Sequence, residues 1–222
     1  MKITESFFGK ERKELEKFNK LELDQRSIVF YSEDISSFIH FEQIIHELTD
    51  EMEYQICYVT SAKDDPILST QNKRIKAFYI GLGAVRTQFF MELKAELLVM
   101  TMPNLETYYI KRSKVYPVHY VYIFHSIVST HTIYRKGAFD HFQTIFCAGA
   151  HHIRELRAIE KTYNLNAKNL VEHGYSRLDA IIQEAAKHTQ TTKSAKASTH
   201  ILIAPSWGEN GIIETIGEKV VS

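Results

Sequence analysis

The histidine at the end of an apolar run, His125, is the group in this sequence best placed to do chemistry. Val118 to Phe124 is strongly apolar, and His125 follows it directly. The stretch after it carries Ser126, Ser129, Thr130, His131, Tyr134, Arg135 and Lys136, and a second apolar run, Thr144 to Cys147, comes after Asp140 and His141. An apolar strand that opens into such a loop is where α/β proteins present polar groups, because ligands sit outside the carboxyl ends of the strands. A neutral imidazole can take a proton near pH 7. Arg135, Lys136 and His131 can offset phosphate charge, and serine or threonine hydroxyls can donate hydrogen bonds to it. His125 is therefore a candidate general base, with Ser126, Ser129, His131, Tyr134 and Arg135 as candidate substrate contacts. The plainer alternative is that His125 only finishes its strand and that His131 and Arg135 anchor the loop.

A second candidate is Gly81-Leu82-Gly83, between an apolar run and a helical pattern. Strand, Gly-x-Gly, helix is half of a dinucleotide fingerprint, in which glycines let a phosphate approach a helix N-terminus. The third glycine is absent, since Ala84, Val85 and Arg86 follow. The turn is either a tight strand-to-helix connection or a substrate-lining one. Cys147 with His151 and His152 invites a metal reading, but adjacent helical residues point about 100° apart and do not readily share one ion. No metal site is expected. His40 and His46 read as surface or core-edge residues of a helix, and His173-Gly174-Tyr175 as the close of a strand.

The elements that would position these groups alternate. Thr4 to Lys20 is a mixed-charge helix with Phe7, Phe8, Leu15 and Phe18 as its apolar stripe; a dominant basic face, as in helices that lie on membranes, is missing. Ser27 to Tyr31 is the first strand, and Asp34 can cap the helix after it. Phe38, Phe41, Ile45 and Leu48 fall on one face of that helix. Tyr54 to Thr60 is the second strand, and a polar helical segment is expected through Lys73 and Lys76. Ala77 to Ile80, Glu96 to Met102 and Pro117 to Phe124 are the next strands. On the last of these, His119, Val121, Ile123 and His125 face one side and Tyr120, Tyr122 and Phe124 the other. Both sides are apolar, as in a parallel sheet covered on both faces. Thr144 to Cys147 is a strand, Ala150 to Tyr163 a helix, Asn169 to Glu172 a further strand, and Leu178, Ile181, Ile182 and Ala185 mark another helix. The pattern predicts an α/β fold with a Rossmann-like doubly wound parallel sheet.

Composition narrows the function classes. Lys+Arg and Asp+Glu both number 27, which removes the electrostatic footprint of a nucleic-acid binder. The two cysteines lie in apolar runs and read as buried thiols of a reducing compartment. No signal peptide or membrane-spanning run is present, so a cytoplasmic location is expected, compatible with docking at the inner face of the cell membrane. Residues 187–199 are Lys, Thr, Ser, Ala and Gln with no large apolar side chain, as in a linker. Ile201 to Ala204 then reads as a strand, followed by Pro205-Ser206-Trp207-Gly208. The expected division is residues 1–186 as a domain, 187–199 as linker, and 200–222 as the opening of a second, truncated α/β domain.

Several segments together resemble one family. Met100-Thr-Met-Pro103, the His125-Ser126 loop with Tyr134-Arg-Lys-Gly137, Ile145-Phe-Cys-Ala-Gly149, Gly174-Tyr-Ser-Arg-Leu-Asp179 and Ile203-Ala-Pro-Ser-Trp207 are similar to the CDP-glycerol:poly(glycerophosphate) glycerophosphotransferases of teichoic acid and capsule assembly. The resemblance implies a GT-B-type fold, of which this chain is the N-terminal, acceptor-side half plus the first strand of the nucleotide-side domain. It implies transfer of glycerol phosphate or a related polyol phosphate from a CDP-glycerol-type donor to a phosphate-bearing polymer or lipid-linked acceptor, with no cofactor. His125 inherits the general-base role, standing in Phe-His-Ser where the family has Trp-His-Gly. The competing expectations are a GT-B glycosyltransferase using a nucleotide sugar and a non-catalytic acceptor-binding module.

Overall fold

In the computed structural model, which describes residues 2–107 and 109–189 together with Thr215 and Gly217, seven parallel strands form one sheet. The strands are β1 (Ile28–Ser32), β2 (Ile56–Thr60), β3 (Ile75–Tyr79), β4 (Leu97–Met100), β5 (His119–Ile123), β6 (Thr144–Cys147) and β7 (Asn169–Glu172). Their order is β3-β2-β1-β4-β5-β6-β7, every neighbouring pair parallel. The helices are α1 (Lys2–Asn19), α2 (Phe38–His46), α3 (Ala84–Glu92), α4 (Thr130–Ile133), α5 (Ala150–Tyr163) and α6 (Ser176–Thr189). This is the expected Rossmann-like doubly wound α/β fold. The chain winds outward from β1 to one edge and returns at β4 to wind to the other, which makes the β1–β4 junction the topological switch point.

The alternation along each strand sorts side chains into two cores, one per face. Tyr120, Tyr122 and Phe124 join the larger core with Phe89, Phe90, Phe139 and Phe142. Val121 and Ile123 join the smaller one with Phe41, Ile45 and Tyr58. Helix α1 is held by Leu15, 3% exposed, and Phe18, fully buried against Phe78 and Phe89. Each such burial is worth about 1.5–3 kcal/mol. Its exposed pair Arg12–Glu16, at 3.5 Å, contributes roughly 0.3–0.5 kcal/mol, so packing rather than charge fixes the helix. The side chains of Phe7 and Phe8 lie outside the described residues.

Two expectations are corrected. The polar helical segment expected through Lys73 and Lys76 is instead a short 3-10 turn, Pro66–Ser69, capped by the Asp65 carboxylate, followed by extended chain in which Lys76 already belongs to β3. Ile75 and Ala77 pack on the smaller core, and pairing with β2 overrides the local helical pattern. Residues 187–189, expected in the linker, instead belong to α6, which continues to Thr189; the rest of that expected segment lies outside the described residues. Ala185, Ala186 and Lys187 are good helix formers, and Lys187 pairs with Glu184 at 3.1 Å. By compactness the chain divides into residues 1–181 and 182–222. Of the second unit the structure describes the end of α6, Thr215 and Gly217; the expected strand at residues 201–204, Ser206 and Trp207 lie outside the described residues.

Candidate active site

A cleft of about 510 Å³ opens at the switch point, outside the carboxyl ends of β1, β4 and β5. Its wall after β1 is built by Asp34. The Asp34 carboxylate accepts hydrogen bonds from the Ser36 hydroxyl at 2.7 Å and from the Ser37 N–H and hydroxyl, both at 3.2 Å. It thereby caps the turn that leads into α2, and these bonds, the one from Ser36 foremost, hold its pKa below the usual carboxylate range. The Thr101 hydroxyl, just past β4, donates to the Ser37 hydroxyl at 3.4 Å and ties the two sides of the switch point together.

His40, one turn into α2, lines the floor. It is 5% exposed, and its ring meets His125 at 6.2 Å and Tyr175 at 5.7 Å between centroids. Burial, then the neighbouring His125 and Arg177, push its pKa down to about 4, against the pull of Asp34. His125 itself opens onto the cleft two residues past the end of β5. Its inner edge is covered: Nδ1 lies 3.3 Å from the Tyr122 hydroxyl, and the Tyr175 hydroxyl donates to its backbone carbonyl at 3.2 Å. This partial burial lowers the imidazole pKa, while the Thr101 carbonyl and Asp34 oppose the shift. Arg86 of α3 and Arg177 of α6 bring guanidinium groups to the lining. Arg86 pairs with Glu33 at 3.2 Å, and its Nε is buried with no hydrogen-bond partner among the described residues.

The other residues singled out in the sequence lie elsewhere. Ser126 and Ser129 turn back on the loop: the Ser126 hydroxyl accepts from the Val128 N–H and the Ser129 hydroxyl from the His131 N–H, each at 3.3 Å. His131, Tyr134 and Arg135 line a separate cavity of about 170 Å³, walled by Leu156, Ile159 and Tyr163 of α5. Arg135 nevertheless bears on the cleft. Its guanidinium donates to the side chains of Asn104 and Thr107, both of which line the cleft. Gly81 and Gly83 are outside the lining. Gly81 has φ +64°, its carbonyl accepts the Ser61 hydroxyl at 2.6 Å, and a Cβ there would collide with the Glu11 carboxylate of α1. That geometry is a tight strand-to-helix turn against α1.

The loop after His125 is pinned by α5. His152 is fully buried, stacks on Phe124 at 3.7 Å, and has Nε2 2.9 Å from the Val128 carbonyl while Nδ1 accepts from the Ala148 N–H at 3.3 Å. His151 reaches the Ile127 carbonyl at 3.1 Å, and the Glu155 carboxylate accepts from both the N–H and the hydroxyl of Thr130 at 2.6 Å. The adjacent histidines are thus loop fasteners, and among the described residues no group of three or more His, Cys, Asp or Glu side chains is placed to hold a metal ion. Among the described residues no helix is long and apolar enough to cross a membrane.

Asp34, Ser37, His40, Arg86 and Arg177 were not expected at the site. Asp34 was readable as a cap, but its place in the cleft follows from strand order, which puts the β1 loop beside the β4 and β5 loops. Comparison of the chain with models of known families, with curated proteins and with solved structures finds no match in any of the three.

Proposed function

We propose that this chain serves in transfer of glycerol phosphate, or a related polyol phosphate, from a CDP-linked donor to a phosphate-bearing acceptor held in the cleft, with His125 as general base. The observation that carries the reading is an imidazole of lowered pKa at the carboxyl end of a parallel strand, opening onto a cleft whose lining also includes Arg86 and Arg177. Such a ring is neutral and ready to accept a proton near pH 7. The mixed lining suits a ligand with both hydroxyls and an anionic group: carboxylate and imidazole can bond hydroxyls, and guanidinium can pair phosphate.

In this reading the acceptor hydroxyl oxygen attacks the β-phosphorus of the donor as His125 takes its proton. The new P–O bond forms, the bond to the bridging oxygen breaks, CMP leaves, and the imidazolium later returns its proton to solvent. Substitution at phosphorus requires no redox cofactor. The resemblance assigns the donor to a nucleotide-side domain opening at residue 200, in a stretch that lies almost wholly outside the described residues.

The test is a binding and turnover series. Glycerol phosphate oligomers should shift the ring resonances of His125 and His40 and leave those of His152 in place. Acceptor-dependent release of CMP from CDP-glycerol should follow if the chain carries the donor site. Turnover of a nucleotide sugar in place of CDP-glycerol would favour a glycosyltransferase, and unmoved His125 and His40 signals would remove the acceptor site.

A further inference from the structure

Tyr122 is fully buried, and its ring sits among Phe124, Phe139 and Phe142 at centroid distances of 5.1, 5.1 and 5.3 Å. A phenylalanine would fill that space equally well. A phenol hydroxyl taken out of water costs free energy unless it is hydrogen-bonded, so the contribution of this one lies in its partners. It has two. It donates to the Tyr134 hydroxyl at 3.3 Å and lies 3.3 Å from Nδ1 of His125.

The direction of the first bond determines the second. With its only proton committed to Tyr134, the Tyr122 oxygen can meet His125 only as an acceptor, and Nδ1 must then carry the ring proton. The same logic operates in catalytic histidines whose tautomer is set by the partner of the other nitrogen. Of the remaining neighbours, the His40 ring approaches His125 from α2, the Tyr175 hydroxyl engages the backbone carbonyl rather than the ring, and the Thr101 carbonyl, an acceptor for the ring, favours the charged form together with Asp34.

We propose that Tyr122 is a positioning residue that fixes the tautomer of His125, holding its proton on Nδ1 and leaving the Nε2 lone pair for the substrate hydroxyl. Tyr134 completes the device by accepting the Tyr122 proton from the side of the smaller cavity. The catalytic consequence rests on the reading of His125 as the base; the tautomer does not.

The experiment reads the ring nitrogens directly, by long-range proton–nitrogen NMR of the histidine-labelled chain at a pH where His125 is neutral. The His125 signals are identified, among eleven histidines, by their loss in His125→Gln. The expected result is a protonated Nδ1 and a bare Nε2 in the unsubstituted chain, with redistribution of the proton toward Nε2 in Tyr122→Phe. A proton already on Nε2 in the unsubstituted chain overturns the proposal and needs no variant to be seen. An unchanged tautomer in folded Tyr122→Phe overturns it too. Where turnover is measurable, Tyr122→Phe should lower kcat roughly 10- to 100-fold, the range for loss of an orienting partner, with KM unchanged. A fixed Nδ1 tautomer together with full turnover by His125→Gln would uphold the positioning role and discard the base.

Discussion

The rings of His40 and His125 face each other edge to face, 6.2 Å between centroids, one rising from the first turns of α2 and the other closing β5. Neither element is near the other in sequence; the β1–β4 junction brings them together. Burial lowers the pKa of both imidazoles, and the charge of His125 further disfavours protonation of His40.

This pair gives stability a predictable pH dependence. The pKa of His40 falls from 6.5 to about 4, and those of His125, His152 and His173 are also lowered by burial. In the window between the ordinary and the lowered values the unfolded chain binds more protons than the folded one, so stability rises with pH. It is fully present above about pH 6.5 and is lost as pH falls toward 4. Thermal unfolding followed from pH 7.5 down should show Tm falling through that window, and His40→Gln should flatten the slope.

His125→Ala is expected to lower kcat by roughly 10²- to 10⁴-fold with KM for the donor little changed, because only proton transfer is removed. The acidic limb of the kcat/KM profile should lie below the ordinary histidine value, following the lowered pKa of the ring. Steady-state kinetics of a folded variant at full rate would send the proton by another route.

Arg135→Ala should act through the cleft wall. The guanidinium bonds both Asn104 and Thr107, so its removal should speed hydrogen exchange of the amides at residues 104–107 and raise KM for the acceptor several-fold at constant kcat. Arg135→Lys should not restore the effect, since an ammonium cannot reproduce the forked geometry. A KM effect without faster exchange would instead mark Arg135 as a direct substrate contact.

The two adjacent histidines should separate cleanly. His152→Ala removes a fully buried ring stacked on Phe124 together with bonds to two backbone groups, a loss of about 3–5 kcal/mol. His151→Ala, which gives up one bond at a more open position, should cost about 1 kcal/mol. Urea unfolding of the two variants measures both values.

Much of the scaffold was legible because the periodicities were strong. The helix Ala150–Tyr163 and the strand Asn169–Glu172 have the bounds that their apolar spacing indicates, and the two faces of β5 sort as the alternation of Tyr120, Tyr122 and Phe124 requires. His125 was legible because it breaks an apolar run. His40 was not, since a lone histidine on an amphipathic helix carries no local sign that a second histidine from a distant strand will face it. The turning of residues 130–137 away from the cleft and into a separate cavity was equally hidden: it depends on Glu155 and His152 of α5, whose partners Thr130 and Val128 are chosen by packing and not by sequence spacing.

The sheet order carries a kinetic consequence. Strands β3, β2 and β1 form one continuous winding and β4 to β7 another, and the two windings meet along the single seam where Ile28 to Tyr31 pair with Leu97 to Met100. Closing that seam joins segments far apart in the chain, a late and entropically costly event of the kind that slows folding. The cleft straddles it, with Asp34, His40 and Arg86 contributed from one side and Thr101, His125 and Arg177 from the other. A molecule lodged there touches both windings, so occupancy acts as a clamp across the seam. Where the seam is already open in the transition state for unfolding, such a clamp leaves the refolding rate alone and lengthens the lifetime of the native fold.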